Sequence, residues 1–186
     1  IRNSAIDAVA QCSEGYDSKN GNSYTKFLCN HAFDLLEDGI LSMNKEKIVL
    51  GSLISGLGFG NCSTTLGHAL SYVFSNEGYS HGHALSFTTL YAHQFNDSKF
   101  YQRFSNIVKK LDFSKIRLKE NYDEAANLIL TDRKHLDNNP KPITNGGKHC
   151  KRSLPSRWNK PKTATNIKKG AASDNNGLPK SFISTR

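Results

Sequence analysis

From Ile6 to Leu130 the apolar residues of this chain recur at intervals of three and four, and nowhere do they alternate over the length of a strand. That period belongs to helices with one buried face, so the chain must build its core by packing helix on helix. The spacing predicts helices over residues 4–15, 24–43, 45–61, 65–75, 82–95, 100–111 and 122–133. Ser4 is placed to cap the first, and Asn20-Gly-Asn-Ser separates it from the second. The third is rich in small residues from Gly51 to Gly60, a composition read as close helix packing. Its Gly56-Leu-Gly58-Phe-Gly60 stretch departs from G-x-G-x-x-G and follows no strand, so it carries no dinucleotide fingerprint. There is no internal repeat. The expected fold class is all-α, a helical bundle.

The pattern stops at Asp137-Asn-Asn-Pro-Lys-Pro. The formal charge of +9 invites a nucleic-acid partner, but its position argues against one. Ten of the 25 basic residues and one of the 16 acidic residues fall in 144–186, leaving fifteen of each sign in 1–143. Residues 1–143 therefore read as a neutral helical domain, and 144–186 as a basic, disordered tail. A stretch of Lys, Asn, Ser, Gly and Pro around Trp158 cannot bury enough apolar area to offset chain entropy. Lys151, Arg152 and Arg157 near Trp158 would hold polyanions without specificity, while an unselected extension is the plainer reading of the tail. Cys12, Cys29, Cys62 and Cys150 form no Cys-x-x-Cys pair and fit reduced, cytoplasmic thiols. No run approaches the roughly 20 apolar residues of a membrane span, and no signal peptide opens the chain. Ile1-Arg-Asn-Ser begins without Met inside a helical pattern, as though something preceded it.

Two helix starts carry the chemistry. His68 and His81 open two apolar segments separated by a short Asn/Gly turn, so their rings can face one another across a helix pair. Neutral imidazole is the commonest nitrogen ligand for zinc and iron. Asp7 and Gln11 lie four apart on the first helix and emerge from one face. With the two histidines they would make a mixed oxygen and nitrogen set suited to a catalytic Fe2+ or Zn2+ with an open position. The plainer alternatives are an Asp that serves the helix dipole and histidines satisfied in a core. Spacing does not choose between them.

The surrounding residues add specificity. Asn61-Cys-Ser-Thr-Thr-Leu-Gly-His68-Ala-Leu-Ser-Tyr72, then Ser80-His81-Gly-His83-Ala-Leu-Ser86 and Phe95-Asn96, resembles the metal-binding half of the iron-containing alcohol dehydrogenases. Asp7-Ala-Val-Ala-Gln11-Cys-Ser-Glu14 is similar to that family's Asp-Ala-x-x-His-Ala-x-Glu helix, and Asn138-Asn-Pro-Lys-Pro142 to the stretch before its terminal helix. Thr64-Thr65 and Ala69-Leu-Ser-Tyr72 lean toward its phosphonoacetaldehyde reductase branch. The resemblance spans residues 3–143.

It implies the helical bundle of the dehydroquinate synthase-like or iron-type C-terminal domain. A Rossmann-like domain for NAD(P), absent from this chain, would supply the other half. Asp7, His68 and His81 would be metal ligands, with Gln11 where most members place a His. Tyr72 stands where many members have a histidine near substrate, which moves a proton relay to tyrosine or water. His83 would orient His81 or substrate, or be simply buried, and His93 and Tyr91 could border the cleft. His31 is expected to pack on its helix, and His135 and His149 to face solvent. The implied reaction is NAD(P)-linked reduction of an aldehyde to a primary alcohol. Phosphonoacetaldehyde is the suggested substrate, with no membrane partner and room for a homo-oligomer. A noncatalytic fragment that binds metal poorly is the competing reading.

Overall fold

A computed structural model describes residues 1–143. The expected tail and its polyanion-binding residues, with His149 and Cys150, lie outside the described residues. Eight helices follow one another: α1 (Arg2–Asp17), α2 (Ser23–Leu41), α3 (Lys45–Phe59), α4 (Leu66–Asn76), α5 (His81–Asn96), α6 (Tyr101–Leu111), α7 (Tyr122–Thr131) and α8 (Arg133–Asp137). The all-α expectation holds, and no strand occurs among the described residues.

Local chemistry places the ends. Asn22 caps α2 by accepting from the amides of Tyr24 and Thr25, while the Thr25 hydroxyl answers the Asn22 amide as a capping box. Asn44 caps α3 through the Lys47 amide. Ser4 does not cap α1, because the helix begins two residues earlier at Arg2 and leaves Ser4 exposed inside its first turn.

Helix α1 is the hub, packed by α2, α3 and α5. Its buried Ile6 and Val9 join Phe33, Leu36, Leu85, Phe100, Phe104 and Ile107 in one core. A second core gathers Leu66, Leu70, Val73 and Phe74 of α4 with Ala84, Ala92, Ile129 and Leu136. The small-residue run of α3 divides by face. Gly51 and Gly58 press against α2, and the Ser55 hydroxyl donates to the Ala8 carbonyl at 2.9 Å. Gly56 and Gly60 are exposed, so close packing does not account for the whole run.

The segment after α8 is tied into the fold by Asn138, which is buried. Its Nδ2 donates to the carbonyls of Cys62 and Thr64 at 2.8 and 3.0 Å. Its Oδ1 accepts from the Asn20 amide at 3.0 Å, and its carbonyl accepts from the Lys19 amide. Asn139 exchanges hydrogen bonds with Asn96 at the end of α5. One short stretch thus holds the α1–α2 turn, the α3–α4 turn and α5 in register.

Candidate metal centre

Asp7, His68 and His81 come together where α1 passes the first turns of α4 and α5. One donor atom from each lies within 4.8 Å of the other two. Asp7 Oδ1 is 3.7 Å from His68 Nε2 and 3.9 Å from His81 Nε2. These separations are too long for hydrogen bonds, and Asp7 Oδ1 is buried with no hydrogen-bond partner. A buried carboxylate oxygen facing two imidazole nitrogens at these distances is an arrangement that a bound cation would complete. Metal–ligand bonds of about 2.1 Å at a tetrahedral ion put donors about 3.4 Å apart, so small side-chain movements would close this set on Zn2+ or Fe2+. The residues fit a divalent metal.

Both imidazoles are turned to present Nε2. His68 Nδ1 lies 2.5 Å from Glu14 Oε2, and since a carboxylate only accepts, Nδ1 carries the proton. In the neutral ring, the form that binds a metal, that leaves Nε2 as the free nitrogen toward Asp7. His81 Nδ1 is 3.4 Å from the Ser71 hydroxyl, whose own proton goes to the His68 carbonyl at 2.7 Å. The hydroxyl therefore accepts from His81, and its Nε2 is likewise the free nitrogen.

Glu14 organises this side of the site. It lies seven residues after Asp7, two turns along the same face of α1. Fully buried, its carboxylate also accepts from the amides of Gly67 at 2.5 Å and of Thr65 and His68 at 3.3 Å. It thereby caps α4, whose Thr65 N-cap makes no side-chain bond. Burial alone would raise its pKa, but the His68 contact and the amide bond hold it below the ordinary carboxylate value. A carboxylate behind a ligating histidine fixes its tautomer and orientation. The family-like helix sequence contains Glu14 without giving it a role; its seven-residue spacing from Asp7, two turns along one face, is the signal that could have found it.

Two charges press on His68. Burial disfavours the imidazolium, but the carboxylates of Asp7 and Glu14 outweigh it and hold the pKa up at about 9. His81 goes the other way: burial lowers its pKa, the Asp7 charge opposes this, and the His68 charge adds to it.

Close approach at α5 depends on Gly82. A Cβ there would sit 2.1 Å from the Asn3 carbonyl oxygen, so any side chain would lift the start of α5, and His81 with it, away from α1.

The other expected residues divide. Gln11 is half-buried one turn beyond Asp7, and its amide has no hydrogen-bond partner among the described residues. The Tyr72 ring stacks on His81, centroids 6.1 Å apart. Burial raises its pKa, helped by the charges of Asp132, Glu14 and Asp7, so the phenol stays protonated. His83 does not join the cluster, because residues two apart point to different sides of a helix. Its Nε2 donates to the Ser114 carbonyl at 2.6 Å and its ring stacks on Phe113. His93 is buried under α1, donating from Nε2 to Ser13 Oγ at 2.9 Å with Nδ1 3.6 Å from Asp17. Ser13 gives its own proton to the Val9 carbonyl, so this Ser–His–Asp order is a strut between helices, not a nucleophile. Tyr91 is half-buried against the second core. His31 is exposed and stacks on Phe27 of its own helix.

His135 is not solvent-facing as expected; it is 7% exposed. Asp132 caps α8, and both its carboxylate oxygens lie 2.7–2.8 Å from His135 Nδ1. The ring stacks on His68 at 6.2 Å and lies tilted against Tyr72 at 5.9 Å. Four rings, His68, His81, Tyr72 and His135, thus form one continuous wall.

The model of the Fe-containing alcohol dehydrogenase family, C-terminal domain, matches residues 2–144. This chain belongs to that family. It is 34% identical over 101 residues to the 4-hydroxybutyrate dehydrogenase of Clostridium kluyveri, covering 47% of this chain and 27% of that protein. The sulfoacetaldehyde reductase of Bifidobacterium kashiwanohense, solved in complex with NAD+, matches 86% of the chain and 49% of its own length (TM-score 0.68, 21% identity). The iron-containing alcohol dehydrogenase of Thermococcus thioreducens matches 85% of the chain and 50% of its own (TM-score 0.69, 19% identity). The chain spans about half the length of these solved structures and about a quarter of the curated relative. Among the described residues no helix is long and apolar enough to cross a membrane.

Proposed function

We propose that this chain is the metal-binding half of an oxidoreductase that interconverts a small aldehyde and its primary alcohol, working with a nucleotide-binding half that holds NAD(P). The observation that carries the reading is Asp7 Oδ1, buried, unpartnered and faced by two imidazole nitrogens. A divalent metal bound there supplies Lewis acidity toward the aldehyde oxygen, and the nicotinamide supplies the hydride. Asp7, His68 and His81 hold the ion. Glu14 keeps the His68 Nδ1 proton in place so that Nε2 stays available. Gln11 is the fourth candidate ligand, and an amide oxygen there favours a weakly held ion with an open position. Tyr72, protonated beside His81, is the hydroxyl we assign to the proton path of the substrate oxygen. His83 braces the segment around Ser114 and takes no part in chemistry.

For the substrate, the relatives' names pair a short carbon chain with an acidic group: 4-hydroxybutyrate in one, sulfoacetaldehyde in another. Phosphonoacetaldehyde, reduced to 2-hydroxyethylphosphonate, shares that chemistry and agrees with the Thr64-Thr65 and Tyr72 sequence. The buried thiols of Cys12, Cys29 and Cys62 suit a cytoplasmic setting.

Calorimetric titration of the chain with Zn2+ or Co2+ tests the centre. One ion per chain is expected, with His81→Ala weakening it at least tenfold. Unchanged affinity in that variant overturns the ligand set. NADH- or NADPH-dependent aldehyde reduction by the chain joined to a nucleotide-binding half tests the activity. A metal-loaded protein without turnover selects the noncatalytic alternative.

A further inference from the structure

A cavity of about 430 Å3 opens between α4, α7 and α8. Two of its lining rings, Tyr72 and His135, are also the rings that stack on His81 and His68. The cavity therefore adjoins the metal centre. Val73, Leu128 and Ile129 give it aliphatic walls suited to a short carbon chain.

Its two charged groups, Asp132 and Lys134, are unequally engaged. The one carboxylate in its lining, Asp132, is occupied on both oxygens by His135 Nδ1. Lys134, which also lines it, makes no ion pair and no hydrogen bond among the described residues. The neighbouring Arg133, by contrast, is paired with Asp137 and is not part of the lining. With Nδ1 committed to Asp132, His135 has Nε2 free, and the Tyr72 hydroxyl has no partner among the described residues. An aliphatic slot beside a metal centre, with an unpaired ammonium and spare hydrogen-bonding groups, is complementary to an acid.

We propose that this cavity binds the acidic tail of the substrate, with Lys134 as its charge partner and His135, oriented by Asp132, as its hydrogen-bonding wall. The assignment rests on the aldehyde–alcohol reading of the adjoining centre and names what distinguishes its substrates: a carboxylate, sulfonate or phosphonate a few carbons from the reacting oxygen. Lys134 is exposed, so its contribution is a discrimination of about fivefold and not a thousandfold.

The test is an NMR titration of the isotope-labelled, metal-free chain with butyrate and, separately, with 1-butanol at low salt. Removing metal keeps the carboxylate from simply ligating an ion. Butyrate is expected to bind about fivefold tighter than 1-butanol, shifting Leu128, Ile129 and His135 signals. Lys134→Gln should abolish that preference, and Arg133→Gln should leave it intact. Equal affinities, a preference that survives Lys134→Gln, or shifts centred elsewhere overturn the proposal. Cobalt titration of the same samples reads the centre separately. Metal binding without butyrate preference sinks this inference alone; preference without metal binding keeps the acid site and sinks the oxidoreductase reading.

Discussion

The two histidines of the centre stand at the first turns of neighbouring helices, and those two helix starts are built by different means. The start of α4 is fixed chemically: Glu14, sent from α1, accepts from three backbone amides and from His68 itself. The start of α5 is fixed sterically: Gly82 lies on the Asn3 backbone, and its Ser80 N-cap makes no side-chain bond. His68 is consequently buried and locked, whereas His81 is half-exposed with one long contact to Ser71. One candidate ligand is held in place by the fold and the other is free to adjust to it.

Breaking the chemical anchor should cost most. Glu14→Ala leaves several buried donors unanswered, and about 3–5 kcal/mol of stability should be lost in urea unfolding. Glu14→Gln should keep the fold better while weakening metal binding about 10- to 100-fold, read by calorimetry. The steric anchor comes next. Gly82→Ala must displace backbone, with an expected cost of about 1–3 kcal/mol and a metal affinity that falls although every ligand remains. A Gly82→Ala protein with wild-type affinity would show that α5 is not seated by this contact.

Acidity separates the two ligands in the metal-free chain. The folded pKa of His68, about 9, lies above its ordinary value of 6.5. Its stabilisation is thus complete below pH 6.5 and disappears as pH rises through 9. The folded pKa of His81 is lowered, so the unfolded chain takes up that proton more readily, and stability falls as pH drops through the ordinary histidine range. Urea midpoints across pH 5–10 should show the alkaline fall vanish in His68→Gln and the acid-side loss shrink in His81→Gln. The smallest effect is a control far from both anchors. Gly56 is exposed within α3 with nothing within 4 Å of its Cβ position, and Gly56→Ala should raise stability by about 0.5–1 kcal/mol in thermal melts.

The long helices were legible because each presents a full apolar face, and the turns between them carry Asn and Gly. Helix α8 was not: at five residues it is too short to show a period, and its start at Asp132 falls inside what reads as the tail of α7. Missing that break placed His135 on the surface, when the new helix turns it inward against Tyr72 and His68. Asp7, His68 and His81 were singled out by residue type and sequence resemblance, and the fold brings them together. Glu14 escaped because a glutamate on an amphipathic helix ordinarily reads as part of its solvated face. Only the arrival of the α4 amides over it, from more than fifty residues away, makes it an internal anchor. His83 shows the converse: it shares the sequence neighbourhood of His81 but not its side of the helix.

Asn138 has a consequence for the order in which this domain is made. Its partners at residues 19–20 and 62–64 wait 74 to 119 positions along the chain for it. Contacts of such separation form late, after the elements they join already hold together. Asp7, His68 and His81 all leave the ribosome well before Asn138. A nascent chain can therefore gather Asp7, His68 and His81 before the last stitch closes the domain around them.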